Sequence, residues 1–195
     1  MHASSALDHA TVRSRLSRGL APPGGDGPAW AATALVVGDG PGGPSLCFIQ
    51  RAERPGDRWS GQMALPGGKR DPDDPDLVHT AVWESHEEVG LELGGQAPVG
   101  RLGDVRGRPR KGRVATFVWC LDHQPSLTPD PGEVQAALWI PLAHLLDPAS
   151  ATRYRWGGLG AFPGIHHEGR VIWGLTHRIL ETFVDVLEHE LPQAR

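Results

Sequence analysis

Long hydrophobic runs are missing from this 195-residue chain, and none approaches the ~20 apolar residues that a membrane-spanning helix needs. Cysteine is scarce. Cys47 and Cys120 each sit in an apolar, strand-like stretch, which predicts two buried thiols in a reducing compartment, not a disulfide framework. Excess positive charge is lacking as well. The formal net charge is −4 and the isoelectric point near 6.2, which argues against a general nucleic-acid binder. These absences predict a cytoplasmic protein with no membrane attachment and no nucleic-acid partner. At 39% hydrophobic residues, the chain is long enough to bury a proper core as one domain with decorations.

Glycine and proline are plentiful and punctuate the chain. Residues 1–20 carry Arg13, Arg15 and Arg18 among scattered Leu, Val and Ala, superficially like a transit peptide. Asp8 and the lack of a signal-type apolar core favour a short amphipathic helix instead. Residues 22–28, PPGGDGP, read as a linker, so 1–29 is expected to be a helix plus linker and 30–195 the main domain. Strands are expected at 30–37 and 46–51 around a Gly/Pro turn at 38–44, and at 99–104, 114–122 and 134–141. A basic loop with Arg106, Arg108, Arg110, Lys111 and Arg113 separates two of them. Helices are expected at 142–146 and, long and amphipathic, at 176–191. Strands interleaved with helices predict an α/β sheet covered on both faces.

The most informative stretch is GGKRDPDDPDLVHTAVWESHEEVGLEL, residues 67–93. Glu84, Glu87 and Glu88 stand at i, i+3, i+4, so on a helix they fall within an arc of about 100° and reach one point above its surface. Val78, Ala81, Val82, Ser85 and Val89 give the same helix an apolar flank. Clustered carboxylates repel each other unless a cation lies among them, and this many hard oxygen ligands favour Mg²⁺ or Mn²⁺ over zinc. Asp74 before Pro75 reads as the N-cap, and Gly90 as the left-handed residue that stops the helix.

With these residues in view, the segment resembles the signature of the Nudix hydrolases, whose Glu-(apolar)-x-Glu-Glu-x-Gly-(apolar) tail is matched by Glu84, Glu87, Glu88, Gly90 and Leu91. Two positions depart from it. Trp83 stands where the family has arginine, and the earlier glutamate is missing, its place falling on Asp74 or Pro75 according to the end counted from. In the family those two side chains brace the loop against the helix. Outside the box, FIQRAERPGDRWSGQMALPGG, PGEVQAALWIPLAHLLDP and GRVIWGLTHRILETFVDVL resemble the coenzyme A pyrophosphatase branch. The resemblance implies the Nudix α/β/α sandwich, with a mixed β-sheet between helices.

Residue roles follow partly from chemistry and partly from that resemblance. Hydrolysis of a pyrophosphate needs its oxygens neutralised and a water activated in line. Glu84 and Glu88, one turn apart, are the expected direct metal ligands, with Glu87 as a further ligand or as the group that orients water. Gly67 and Gly68 let backbone approach closely, and the resemblance makes the Gly68 carbonyl a metal ligand. Glu133, matching the family's Glu-Val segment, is the candidate general base, with Glu87 as the alternative. Arg51, Arg58, Lys69 and Arg70 flank the box as candidate phosphate contacts, against the commoner role of solvated surface cations. The 106–113 loop suits either a second phosphate or a solvated hairpin tip. His166 and His167 are read as part of a substrate-covering loop, and Trp59 and Trp156 as loop rings able to stack on a base. Trp30, Trp119, Trp139 and Trp173 read as core.

The function implied is a Mg²⁺- or Mn²⁺-dependent pyrophosphohydrolase acting on a small-molecule nucleotide diphosphate, with coenzyme A or its acyl derivatives favoured. Rivals are an ADP-ribose or dinucleotide-cofactor pyrophosphatase, a catalytically weak Nudix-fold binding module and, last, an RNA-cap hydrolase. Homodimerisation is left open.

Overall fold

The computed structural model describes residues 7–24, 29–107 and 112–188. Strand β1 (Ala29–Gly40) shows why the chain becomes a three-layer sandwich. Its side chains alternate between faces, yet both sets are apolar. Leu35 and Val37 enter one buried cluster, and Ala32, Ala34 and Val36 enter another on the opposite side. A strand apolar on both faces has to be covered on both.

β1 is central. It runs parallel to β6 (Arg113–Leu121), which pairs antiparallel with β5 (Gly100–Arg106) at one edge. Its other side is shared by two partners. β4 (Gly67–Lys69) pairs with residues 31–33, and β2 (Gly43–Arg51) pairs with residues 37–40. β2 then carries β3 (Met63–Ala64) and β7 (Val134–Pro141), giving a seven-stranded mixed sheet. Helix α2 (Leu77–Val89) covers one face through Leu77, Ala81 and Val89. The other face is covered by α1 (His9–Gly19), α3 (Leu142–Leu146) and α4 (Gly174–Glu188).

A separate three-stranded sheet, β8 (Ala151–Arg155), β9 (Ala161–His167) and β10 (Arg170–Trp173), precedes α4. It corrects the loop expected around His166 and His167, which lie in a strand followed by a tight turn at Glu168 and Gly169. Gly169 (φ +78°) and Glu168 (φ +46°) both take left-handed backbone there.

Most expected elements are present with shifted ends. The hairpin strands run on into the expected 38–44 turn and meet at Gly40 and Gly43. The amphipathic helix near the N-terminus is α1, whose Val12 and Leu16 are fully buried. Part of the expected linker (25–28), part of the basic loop (108–111) and the end of the last expected helix (189–191) lie outside the described residues. Cys47 and Cys120 are buried free thiols, pushed up by that burial to about 12 and about 11. Trp119 and Trp173 are core as expected, whereas Trp30 and Trp139 are only half-buried. Among the described residues no helix is long and apolar enough to cross a membrane.

Candidate active site

Helix α2 starts two residues later than the sequence suggests. Asp76 is the N-cap, its carboxylate accepting the His79 amide at 2.7 Å, and Gly90 ends the helix at φ +71°. Asp74 does other work. Its carboxylate accepts from the buried Thr80 hydroxyl at 2.7 Å and from the Asp71 amide at 3.0 Å, and lies 3.0 Å from His79 Nδ1. Despite burial, these hydrogen bonds hold it below the usual carboxylate range. The Arg70 guanidinium donates to the carbonyls of Asp74 and Pro75 at 3.1 and 2.9 Å. The loop is thus braced to its helix, by contacts that replace the arginine and glutamate missing from the signature. Trp83, in the arginine's place, is 57% exposed and lies roughly parallel to the His79 ring.

The three glutamates differ sharply in surroundings. Glu88 is only 2% exposed, and its Oε2 accepts the Gly67 amide at 2.9 Å. Glu84 is half-buried, and Glu87 faces solvent. Burial, together with the Glu84 and Glu133 charges, pushes the Glu88 carboxyl up to about 8, against the pull of the Gly67 amide and Arg51. Burial, then Glu87, Glu133 and Asp74, push Glu84 up to about 7.

Gly67 and Gly68 form the facing wall. Gly67 sits at φ +145°, and a Cβ there would strike the Ala32 carbonyl and come within 2.6 Å of Thr33 Cα. A Cβ on Gly68 would occupy the space of the Glu84 carboxylate. Glycine is therefore required twice, once for backbone conformation and once for room.

Among the described residues no trio of His, Cys, Asp or Glu side chains is already gathered into a metal cage. The fit to a divalent cation rests on two neighbouring carboxylates, both pushed up by proximity and burial, pressed against glycine backbone. A hard cation between them would supply the missing positive charge.

Arg51 belongs to this pocket. Its charge acts on both Glu84 and Glu88, it pairs with Asp57 at 3.2 Å, and its buried Nε has no hydrogen-bond partner among the described residues. A buried, unpaired guanidinium nitrogen beside a phosphate-type site suits an anionic oxygen. The charge of Glu133 acts on both Glu84 and Glu88, and Glu133 pairs with Arg54 at 3.3 Å.

The remaining candidates are elsewhere. Lys69 lies over the Trp30 ring at 5.7 Å, and Arg70 is engaged in the loop brace. His166 accepts the Gly169 amide through Nε2, and its carbonyl is 2.8 Å from His144 Nε2. The His167 ring packs edge-on against His144 at 4.7 Å, and burial holds its pKa below the ordinary value. The pair thus contacts α3, not the glutamates. Arg58 lies near the rings of Trp59 and Trp156. Sequence reasoning missed Arg54, Asp57, Thr80 and the brace role of Asp74. Only the Asp-rich run before α2 carried a signal for any of them.

The NUDIX domain family matches residues 28–157. Mitochondrial coenzyme A diphosphatase NUDT8 of Mus musculus is 36% identical over 166 residues, covering 82% of this chain and 79% of that protein. Its Homo sapiens counterpart is 36% identical over 167 residues, covering 82% and 70%. Among solved structures, the Nudix hydrolase RenU from M. smegmatis superposes with a TM-score of 0.54 at 20% identity, covering 87% of this chain and 92% of that one. That likeness concerns the fold alone. With a family match over most of the chain, and with its glutamate helix set against the glycine turn, this chain belongs to the Nudix hydrolases.

Proposed function

We propose that the chain hydrolyses the diphosphate of coenzyme A or an acyl-coenzyme A, with Mg²⁺ or Mn²⁺ bound by Glu84, Glu88 and the Gly68 carbonyl. The observation that carries this reading is the placement of the Glu84 and Glu88 carboxylates against Gly67 and Gly68. The relatives named coenzyme A diphosphatases direct the choice of substrate. When bound, the cation would neutralise phosphate oxygens and acidify a water.

The chain's own residues do the rest. Glu88, fixed by the Gly67 amide, holds its carboxylate in one orientation, so no reorganisation is needed when substrate arrives. Arg51 offers its unpaired Nε to a phosphate oxygen. Glu133 takes the proton of the attacking water, and its contact with Arg54 orients it for that task. Glu87, exposed on the same helix, is the alternative base or an outer ligand. Arg58 lies at the Trp59 and Trp156 rings, and Lys69 is a further candidate phosphate contact. Arg70, His166 and His167 have structural occupations that make them weaker candidates.

The rebuilt brace through Asp74, Thr80 and Arg70 favours an active enzyme over a binding module, because the loop that carries Gly68 is held without the family's arginine. We further take 30–195 as the hydrolase domain, acting in the cytoplasm. Cell fractionation that finds the protein in an organelle, as the mouse relative's name places that protein, removes the cytoplasmic part. The main test incubates the protein with coenzyme A, acetyl-coenzyme A, ADP-ribose and dinucleotides, each with Mg²⁺ or Mn²⁺, and identifies products by mass. 4′-Phosphopantetheine and adenosine 3′,5′-bisphosphate are expected from coenzyme A. Much faster cleavage of ADP-ribose overturns the substrate assignment.

A further inference from the structure

Arg51 is also the neck of a closed loop. Its amide donates to the Gln62 carbonyl at 3.0 Å, and the Gly61 amide donates back to the Arg51 carbonyl at 3.2 Å. Inside that neck Asp57 ties the tip down, pairing with Arg51 and accepting the Trp59 amide at 2.9 Å. The tip presents Arg58 and Trp59. Trp59 lies almost parallel to Trp156 of the second sheet's β8–β9 connection, with ring centroids 5.5 Å apart and planes at 16°. Trp156 is backed at 5.3 Å by the buried Trp173, which is itself flanked by Tyr154 at 4.6 Å and Phe162 at 5.6 Å. The Arg58 guanidinium is 5.9 and 5.8 Å from the Trp59 and Trp156 rings.

A chain with one tyrosine and four phenylalanines has therefore gathered five aromatic rings around a loop anchored on a residue of the glutamate pocket. Packing explains the inner rings. It does not explain why the outermost, Trp59, is 38% exposed on a loop tied so firmly, with a cation over its ring. Flat, rigid, half-exposed rings beside a guanidinium suit a planar heterocycle joined to a phosphate.

We infer that Trp59 and Trp156, with Arg58 beside them, form the nucleoside end of the substrate site. The adenine base stacks on the exposed ring surface, and Arg58 meets a phosphate on the ribose. Trp173, Tyr154 and Phe162 hold Trp156 in place and touch no substrate. The inference rests on the proposed hydrolysis of an adenine-containing diphosphate, and deepens it by naming what recognises the nucleoside.

The experiment compares the full chain with Trp59→Leu, Trp156→Leu and Trp59→Phe. It reads kcat and KM for coenzyme A and, without turnover, the calorimetric Kd of adenosine 3′,5′-bisphosphate. Both leucine variants are expected to raise KM and Kd together by about tenfold, with kcat within about twofold. Trp59→Phe is expected to restore most of the loss, which a merely loosened fold would not show. Unchanged KM and Kd in Trp59→Leu overturn the inference, as does failure of the wild-type chain to bind the bisphosphate. Failure of the substrate reading is distinguishable. Wild-type protein that leaves coenzyme A intact, yet binds the bisphosphate more tightly than Trp59→Leu does, keeps the nucleoside site and discards only the proposed substrate.

Discussion

At the glutamate end of the site the functional groups are pressed against backbone, with Glu88 almost wholly buried and held by the Gly67 amide. At the aromatic end they stand out from loops, with Trp59 partly exposed and Arg58 resting on ring faces. The contrast follows from the chemistry. A buried carboxylate needs its partners fixed within tenths of an ångström. A ring face binds by area and tolerates tilt. One end should therefore fail abruptly when altered, and the other should degrade by degrees.

The largest expected effect is at Glu88. Glu88→Gln should lower kcat by about a hundredfold or more, since a charged metal ligand is worth several kcal/mol in the transition state. Turnover retained at saturating Mg²⁺ would remove Glu88 from the site. The same substitution should stabilise the metal-free protein at pH 8. Glu84 and Glu88 titrate near 7 and near 8 in the fold, above the ordinary 4.5. A carboxyl whose pKa is raised by folding is penalised once ionised, so this contribution is most favourable below about pH 4.5 and is lost as pH rises through 7 to 8. Metal-free melting temperature should fall across that window, and Mg²⁺ or Mn²⁺ should restore it. A flat profile with no metal response would contradict the pocket as described.

Glu133→Gln comes next. As the proton acceptor it should cost about 10²-fold in kcat with metal affinity unchanged, read by single-turnover kinetics and calorimetry. Equal losses from Glu87→Gln alone would transfer the role to Glu87. Thr80→Val tests the brace, since it leaves the half-buried Asp74 carboxylate with one hydrogen bond fewer. A stability loss of about 1–2 kcal/mol is expected by denaturant unfolding. Smallest is Trp83→Arg. It restores the family residue where Asp74 already has its own partners, so turnover should not rise, and the new cation beside Glu87 should slightly weaken metal affinity. A clear gain in turnover would mark the natural protein as an impaired enzyme and revive the binding-module reading.

What could be read from the sequence was what is decided locally. The i, i+3, i+4 glutamates and the Gly90 stop depend on a few consecutive residues, and the structure shows the helix they describe. The N-cap was misplaced because Asp73, Asp74 and Asp76 compete within four positions, and only the three-dimensional turn shows that Asp76 meets the His79 amide. Arg70 reads as a surface cation until the carbonyls of Asp74 and Pro75 are seen to converge on it. Of the second sheet only the strand-like run at 171–173 is legible in the sequence, and β8 and β9 are hidden for a different reason. β8 and β9 are short, with Pro163 and Gly164 interrupting any pattern, and their pairing joins residues that no local rule connects. The Trp59 and Trp156 stack brings together two such segments, nearly a hundred positions apart in sequence.

Helix α1 carries a last consequence. Val12 and Leu16 are fully buried in the cluster shared with α4, Arg13 reaches the Cys120 carbonyl, and Arg15 donates to the Leu187 carbonyl at 2.7 Å. At Gly19 a Cβ would come within 2.7 Å of the Val186 side chain. Residues 9–19 are part of the packed body: without them the flank of α4 and the sockets of Val12 and Leu16 would be open to water. The part of the chain that the family model matches, residues 28–157, is thus smaller than the part that packs together.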